Sequence, residues 1–215
     1  PYNIIFQKNG VGANPVINAY TGIAPNSNNA NPDGIWAIAG TDNVTIDGID
    51  LADANGTTTT QMEFGYGLFK LNNNDGVQNI TIQNCVITLT TNNGGSATSI
   101  MPEGSTGILM LNSTPNAATT ILTPTLASGT NSNNKFFSNT IRQVNNGIVL
   151  IGYVAPSPYT LGDNNNDVGG SALATGNTIE NFGGGGALAA VGIEAANQWD
   201  LNISYNTINN NTGAH

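Results

Sequence analysis

The stretch FFSNTIRQVNNGIVLI, residues 136–151, decides the fold because it contains two different strand patterns on either side of a short corner. Its first half alternates apolar and polar residues and ends in Asn139, Thr140 and Ile141. Its second half is Gly147 followed by four apolar residues. Alternation is typical of a half-buried strand, whereas a short apolar run bounded by Gly is typical of a strand covered on both faces.

Both patterns recur along the chain, and they alternate strictly. The Gly-led pattern begins at Gly34, Gly67, Gly107, Gly147 and Gly192, in steps of 33, 40, 40 and 45 residues. The alternating pattern runs from Val44 to Leu51, Ile80 to Ile87, Phe136 to Ile141, Ala174 to Ile179 and Leu201 to Ile208. Repeats of this length without a 3.6-residue apolar period favour a β-solenoid over a helical one. We therefore predict an all-β protein, a right-handed parallel β-helix of about five coils that start near the five glycines, in a single domain over residues 1–215.

The repeats are longer than their strands require, so long inserted loops are predicted between them. These loops are rich in Gly, Asn, Thr, Ser or Pro, and they cover residues 52–66, 88–106, 112–133, 152–171 and 181–190. Residues 141–147 leave room only for a tight corner. Because the repeated positions hold mostly Ile, Leu, Asn and Thr, we expect any recognition to take place on the loops.

The Gly-led pattern leaves open which of its faces points inward. If the second and fourth residues after Gly face the core, the core contains Trp36, Ile38, Phe69, Leu71, Leu109, Leu111, Val149 and Ile151. Lys70 then points outward, Glu194 lies inside, and an apolar row faces outward at Ile35, Leu68, Ile108, Ile148 and Ile193. A row of this kind has to be covered by a loop, or else it forms a binding patch.

In the alternating pattern, Asn139, Asn177 and Asn206 fall at one register, with Ile49 and Cys85 at that position in earlier repeats. These asparagines either stack from coil to coil as a structural ladder with amides bonded to the backbone, or simply favour the turn. Cys85 is expected to be a small buried filler, since no internal histidine is available to activate it.

Charge and composition exclude several functions. The chain has a formal net charge of -9 and only four cationic side chains, so it offers little to neutralise nucleic acid or anionic lipid. It contains no apolar run long enough to span a bilayer, and its one cysteine permits no internal disulfide. The chain begins at Pro1 and ends in a polar string, so we expect it to be a fragment of a longer repetitive protein.

Residues 2–10, residues 13–17 and residues 39–50, with the sequence AGTDNVTIDGID, resemble β-helix modules of very large Bacteroidetes surface proteins exported by type IX secretion. The likeness continues through MEFGYG, residues 62–67, and IGYVAPSP, residues 151–158. This resemblance implies an extracellular or cell-surface location and a structural or adhesive role. It supplies no catalytic residue.

The alternative function is a polysaccharide lyase or glycoside hydrolase of the β-helix type. The residues that could serve such an enzyme are Asp47, Asp50 and Arg142. Hydrolysis needs two carboxylates about 5 to 10 Å apart, but Asp47 and Asp50 lie at odd spacing and are expected to face opposite sides of a strand. Pectin hydrolases of this fold resemble one another in Asp-Asp and Gly-His-Gly motifs that this chain lacks.

The chain contains one weak calcium motif. Asp163, Asn165 and Asp167 place oxygen ligands at alternate positions, as the start of a calcium loop does. The glycine comes one position late, and Ala174 stands where a bidentate Glu is needed. We therefore predict either a weak Ca²⁺ site or an ordinary Asn-rich turn, and no other cofactor.

The sequence thus favours a noncatalytic structural or adhesive module that is glycan-binding or self-associating. The loop aromatics Tyr66, Tyr153, Tyr159 and Trp199 are candidates for stacking on sugar rings, or they cap the ends of the core. The expected partners are flanking modules, further copies of the chain, or extracellular polysaccharide, whereas nucleic acid binding and membrane insertion are not expected.

Overall fold

The protein is built from short strands, as its alternating repeats predict. The computed structural model describes residues 2–23, 31–57, 60–91, 101–183 and 190–210. In chain order the strands are β1 (Ile4–Gln7), β2 (Val16–Asn18), β3 (Gly34–Ala39), β4 (Val44–Asp47), β5 (Asp50–Ala52), β6 (Phe64–Phe69), β7 (Thr81–Gln83), β8 (Val86–Thr88), β9 (Thr106–Leu111), β10 (Lys135–Phe137), β11 (Thr140–Val144), β12 (Asn146–Ile151), β13 (Asp163–Asn164), β14 (Asp167–Val168), β15 (Thr178–Phe182), β16 (Val191–Ala196), β17 (Gln198–Trp199), β18 (Asn202–Ile203) and β19 (Thr207–Asn209). The helices in these ranges are three short 3-10 turns at Pro115–Ala117, Ala127–Gly129 and Leu173–Thr175. The prediction of an all-β protein is confirmed.

The strands form three main parallel sheets that the chain visits in turn. Sheet A has the order β1-β4-β7-β10-β14-β18, sheet B the order β2-β5-β8-β11-β15-β19, and sheet C the order β3-β6-β9-β12-β16. Strands β13 and β17 form a small parallel pair of their own. We call each set of successive strands in sheets A, B and C a rung, so that β1, β2 and β3 form rung 1. Five rungs have a strand in every sheet, and rung 6 consists of β18 and β19, which is compatible with the predicted coils.

Four of the five predicted loops correspond to connections between strands, whereas the predicted loop at 152–171 contains β13 and β14. Long segments at 53–63, 89–105, 112–134 and 183–190 separate successive strands, whereas Asn145 alone connects β11 to β12. The sequence patterns identified β3 of rung 1 at Gly34 but missed β1 and β2. They also placed the start of one alternating strand at Ala174. The residue that aligns with Phe136 is instead Val168, since the segment 169–177 is inserted after β14.

The predicted coil starts at Gly34 and Gly67 are out of register with the later ones. The register pairs Tyr66 with Ile108, so that Gly65, rather than Gly67, aligns with Gly107. Gly34 aligns with Phe64. The glycines at 65 and 67 are two residues apart, and the strand pattern alone does not distinguish between them. From Gly107 onwards the predicted starts agree with the register, because Ile108, Ile148 and Ile193 align.

The main core is enclosed by residues from all three sheets. Sheets A and B contribute columns of fully buried residues, among them Ile46, Ile82 and Phe136 in sheet A and Leu51, Ile87 and Ile141 in sheet B. From rung 2 onwards, sheet C contributes the first and third residues after the aligned glycine, including Tyr66, Leu68, Ile108, Met110, Ile148 and Leu150. The conditional prediction of the inward face is therefore wrong for these rungs, although Trp36 and Ile38 in rung 1 do face this core.

The opposite face of sheet C is also covered. Phe69, Leu109, Leu111 and Val149 pack in a second cluster with Phe64 and with the loop residues Met101 and Ala118. Leu71, predicted to lie in the core, is 56% exposed, whereas Lys70, predicted to point outward, is fully buried. Glu194 is only partly buried. Because loops cover this face, both sides of the strand are apolar, and the sequence gives no alternation from which to choose the inward side.

A column of glycines explains why the Gly-led pattern recurs. A Cβ atom added to Gly107 would lie 2.8 Å from the carbonyl oxygen of Gly147, and one added to Gly147 would lie 2.3 Å from that of Gly192. The Cβ on Gly147 would also meet the Ile179 side chain at 2.7 Å. Backbone atoms cannot yield as a flexible side chain can, so any larger residue in this column would displace a neighbouring rung.

Replacing Gly147 with alanine is therefore expected to destabilise the protein by about 2 kcal/mol or more, the size of an overpacking defect. The measurement is the free energy of unfolding from urea denaturation. Gly56→Ala is the matched control, because a Cβ at Gly56 meets no atom within 4 Å, and its effect should stay within about 0.5 kcal/mol. Equal stability of the two variants would contradict the proposed role of the column.

Candidate functional site

Buried asparagine side chains stack at the corner between sheets A and B. The Oδ1 atom of Asn177 accepts a hydrogen bond from the backbone N–H of Asn139 at 3.0 Å, and Oδ1 of Asn206 accepts one from the N–H of Asn177 at 3.0 Å. In rung 3, the N–H of Cys85 donates to Oδ1 of Asn139 at 3.1 Å. Each amide oxygen therefore binds the backbone of the preceding rung.

The amide nitrogens of the same residues bind a second group on that rung. Nδ2 of Asn139 donates to the carbonyl oxygen of Ile82 at 2.9 Å, and Nδ2 of Asn177 donates to that of Phe136 at 2.8 Å. One side chain thus satisfies both a donor and an acceptor where the backbone turns between two sheets. Asn139 and Asn177 are both about 1% exposed, so water does not compete for these groups.

A second column lies where the chain enters sheet A, and the sequence patterns did not identify it. Oδ1 of Asn134 accepts from the N–H of Ile80 at 3.0 Å, and Oδ1 of Asn166 accepts from the N–H of Asn134 at 2.9 Å. Their Nδ2 atoms donate to the carbonyl oxygens of Val77 and Asn131 at 3.1 and 2.9 Å. In both columns the amide reaches an N–H and the carbonyl three residues before it.

Cys85 occupies the rung-3 position at the register of the first of these columns. It is buried beside Tyr66. Burial is the main cause that raises the pKa of its thiol above the ordinary value. A neutral, buried thiol is a poor nucleophile. The position of Cys85 is therefore that of a packing residue.

We expect Asn139→Ala to destabilise the protein by about 2–4 kcal/mol, because it leaves the Cys85 N–H and the Ile82 carbonyl buried without partners. Asn206→Ala removes the same kind of side chain from the partly exposed end of the column, where water can replace it. Its effect should be at most about half as large. The free energy of unfolding of both variants is measured by urea denaturation. Equal decreases for the two variants would show that burial of these hydrogen bonds is unimportant.

A third polar column consists of Asn131, whose Oδ1 accepts the Val77 N–H at 3.1 Å, and Asp163, which forms a buried ion pair with Lys70. The Nζ atom of Lys70 is 3.7 Å from Oδ1 of Asp163, and both side chains are 0% exposed. Lys70 also donates to the carbonyl oxygen of Gly129, and Oδ1 of Asp163 accepts the backbone N–H of Asn131 at 2.8 Å. Burial lowers the pKa of Lys70 and raises the pKa of Asp163, while the charge of each partner opposes the shift of the other. Lys70, which directly follows β6 of sheet C, thus connects to Asp163 in β13 and to the segment that contains Gly129.

Lys70→Met is expected to destabilise the protein by about 3–5 kcal/mol, because it leaves the Asp163 carboxyl buried without its cation. The double variant with Asp163→Asn should lose less than the sum of the two single variants, by about 1–3 kcal/mol, since Asn can still accept the Asn131 N–H. Lys135→Met is the matched control at an exposed lysine. Additive losses in the double-mutant cycle, measured by urea denaturation, would rule out coupling.

The residues of the predicted calcium motif are engaged with different partners. Asp163 is buried against Lys70 and Asn131, whereas Oδ1 of Asp167 accepts from the Gly170 N–H and from Nδ2 of Asn202, both at 2.8 Å. Asn165 is exposed, and its Nδ2 donates to Asn164. Within the described part of the chain, no three Asp, Glu, His or Cys side chains form a group that could hold a metal ion.

The residues considered for catalysis lie on different sheets. Asp47 is at the end of β4 in sheet A and accepts from Gln83 and Asn84 at 2.8 and 2.7 Å. Asp50 begins β5 in sheet B and accepts the Val86 N–H at 2.7 Å and Nδ2 of Asn14 at 2.8 Å. Arg142, two rungs further along sheet B, donates to Thr88 at 3.1 Å and aligns with Glu180. Each carboxylate thus bonds to neutral partners at its own position.

The four aromatic candidates differ in accessibility. Tyr66 is 0% exposed, and its hydroxyl donates to the Ile49 carbonyl at 2.7 Å, so its predicted stacking on sugars is wrong. Tyr159 is 51% exposed and stacks on Trp199, with ring centroids 5.6 Å apart and an interplanar angle of 26°. Tyr153 is partly exposed. Tyr159 and Trp199 therefore form the one aromatic surface among these candidates.

A shallow polar groove of about 540 Å³ runs along the outer face of sheet A. Its walls are Asn3, Ile5, Asn43, Thr45, Asn79, Thr81, Asn133, Lys135 and Asn165. The asparagines at 43, 79, 133 and 165 have positive φ angles of 53–61°, a conformation that Asn adopts more readily than most residues. Each precedes the strand of its own rung, so the groove consists of repeated positions rather than loop residues. The sequence signal for this groove is the Asn that lies two residues before Thr45 and again two residues before Thr81.

Comparison with models of protein families, with curated proteins and with solved structures finds no match to this chain. Among the described residues there is no helix that is long and apolar enough to cross a membrane.

Proposed function

We propose that the chain is a noncatalytic structural or adhesive module of a secreted or cell-surface protein, wound as a right-handed parallel β-helix. The parallel order of the three sheets supports this winding, because connections between parallel strands of one sheet are right-handed in nearly all proteins. The resemblance of residues 2–10, 13–17 and 39–50 to modules of Bacteroidetes surface proteins exported by type IX secretion supports the extracellular location.

The observation that supports the structural role is the exposure of core residues at both ends of the stack. In rung 1 the inward residues Ile4 and Phe6 are 46% and 43% exposed, whereas Ile46, which aligns with Phe6, is fully buried. In rung 6, Ile203 and Ile208 are 46% and 49% exposed. These residues lie in the columns of the main core, and among the described residues no strand pairs with the outer edges of β1, β2, β18 and β19. Each end of the described stack therefore exposes core residues together with strand edges.

Such ends are suited to packing against further β structure, either flanking modules or another copy of the chain. In a head-to-tail pair of copies, the edges of β18 and β19 would meet the edges of β1 and β2 in sheets A and B. Sheet C ends one rung earlier, at β16, so only two of the three sheets would continue across the junction. We therefore expect self-association to be weak and to depend on concentration.

The alternative, a polysaccharide lyase or hydrolase, has less support. It requires acidic and basic groups that converge on one bond of the substrate. Asp47, Asp50 and Arg142 instead bond to separate neighbours on two sheets.

The structural role predicts that the protein self-associates in sedimentation velocity as its concentration rises, and that Ile208→Lys shifts it towards the monomer. The lysine would place a charge in the exposed apolar end. Ile121→Lys is the matched control, because Ile121 is 52% exposed on the loop between β9 and β10. A wild-type protein that stays monomeric at every concentration, or equal association of both variants, would contradict this role. Release of reducing sugars from any polysaccharide would instead favour the enzyme.

A further inference from the structure

The groove on sheet A presents hydrogen-bonding groups that the rest of the described chain leaves unused. The side chains of Asn43, Asn79 and Asn133 form no hydrogen bond with other described residues, and neither do Thr45 and Thr81. Each amide offers two donor hydrogens and an acceptor oxygen, and each hydroxyl offers one donor hydrogen and an acceptor oxygen. Because neighbouring parallel strands lie about 4.8 Å apart, these groups form a regular array along the stack.

The aromatic pair adjoins the far end of this array. The backbone N–H of Asn165, a wall residue of the groove, donates to the Trp199 carbonyl at 3.0 Å. Asp200, the residue after Trp199, has a φ angle of 49°. It thus repeats in rung 6 the left-handed conformation that Asn165 adopts in rung 5. The backbone of Trp199 therefore lies one rung beyond the last amide of the groove, and its indole stacks with Tyr159.

The conformation of Tyr159 indicates that its position is enforced. Its φ angle is 67°, a left-handed conformation that is unfavourable for an aromatic residue. Backbone bonds to Pro156 at 2.8 Å and from Gly162 at 3.0 Å hold it there. Gly162 leaves the space that the indole needs, since a Cβ at this position would lie 2.4 Å from the Trp199 ring. Strain of this kind is concentrated at sites that bind ligands.

The charges around the groove discriminate between ligands. Lys135 is its only charged wall residue, and Asp167 lies beside it on the next strand. Asp200 adjoins the aromatic pair, and the whole chain has a net charge of -9. A polyanion such as a polyuronate would therefore be repelled, whereas an uncharged chain of hydroxyl groups would not.

We propose that this groove, together with the Tyr159–Trp199 platform, is a binding site for a linear, neutral polysaccharide that lies along the stack of rungs. The platform stacks on the apolar face of one sugar ring. The asparagine and threonine side chains exchange hydrogen bonds with the hydroxyls of the sugars that follow. This site rests on the proposed adhesive function and names its ligand class.

The test is affinity electrophoresis of the whole chain in native gels that contain hydroxyethylcellulose, galactomannan, soluble starch or polygalacturonate. We expect retardation by at least one of the three neutral polymers and none by polygalacturonate. Asn79→Gly removes one amide while it keeps the left-handed backbone, and Tyr159→Asn removes the outer ring in the same way. Each should weaken binding about tenfold or more, as loss of an anchor residue does.

Asn84→Gly is the matched control, because Asn84 is also exposed with φ 56° but lies outside this groove. Its affinity should stay within about twofold of the wild-type value. Retardation by none of the neutral polymers, or only by polygalacturonate, would overturn the proposed ligand. Unchanged binding by both Asn79→Gly and Tyr159→Asn would overturn the site. Neither result affects the sedimentation test of the structural role, which addresses the ends of the stack.

Discussion

The stacked amides at the corners are the interaction on which the rest of the structure depends. Where the chain turns between two sheets, the strand ladder is interrupted, and the freed N–H and C=O groups lie inside the stack. A buried, unpaired backbone group costs about as much as a lost hydrogen bond, or more. Asn139 and Asn177 each satisfy one donor and one acceptor on the rung before them. Rungs 3, 4 and 5 therefore depend on the next rung for these corner bonds, as well as for strand pairing and apolar contacts.

This arrangement explains how a chain with 8% charged residues remains folded. Neutral amides carry the buried polar contacts at low desolvation cost, and the described residues contain one ion pair within salt-bridge distance. That pair lies where Asp163 takes the place of an amide in a column, with its Oδ1 on the Asn131 N–H. An acid in that position requires a cation, and Lys70 supplies it from the end of β6. Asp163 therefore binds the backbone N–H of the preceding rung in the same way as the asparagines do, although it carries a charge.

The sequence was sufficient to predict strands and repeats, and to indicate one polar column as one of two alternatives, because these depend on spacing along a single chain. Asn139, Asn177 and Asn206 were recognisable since each precedes Thr and Ile. The column of Asn134 and Asn166 was missed because its other position is Ile80, which contributes only a backbone N–H. The conditional assignment of the inward face of sheet C fails from rung 2 onwards for a different reason. Met101 and Ala118 cover its outer side from loops whose path the pattern does not reveal.

Recognition was expected on the loops, because the repeated positions hold few chemically distinctive residues. The proposed groove differs from that expectation, because it is built from corner positions. A left-handed asparagine that precedes each strand directs its amide outward at a fixed place, and the rung spacing copies that place along sheet A. Individually weak groups become a preorganised array, so little conformational entropy is lost when a ligand with its own repeat binds. The stacking of rungs restricts the repeated positions to a few residue types. The same stacking spaces their outward amides regularly, which suits a ligand with a repeating structure.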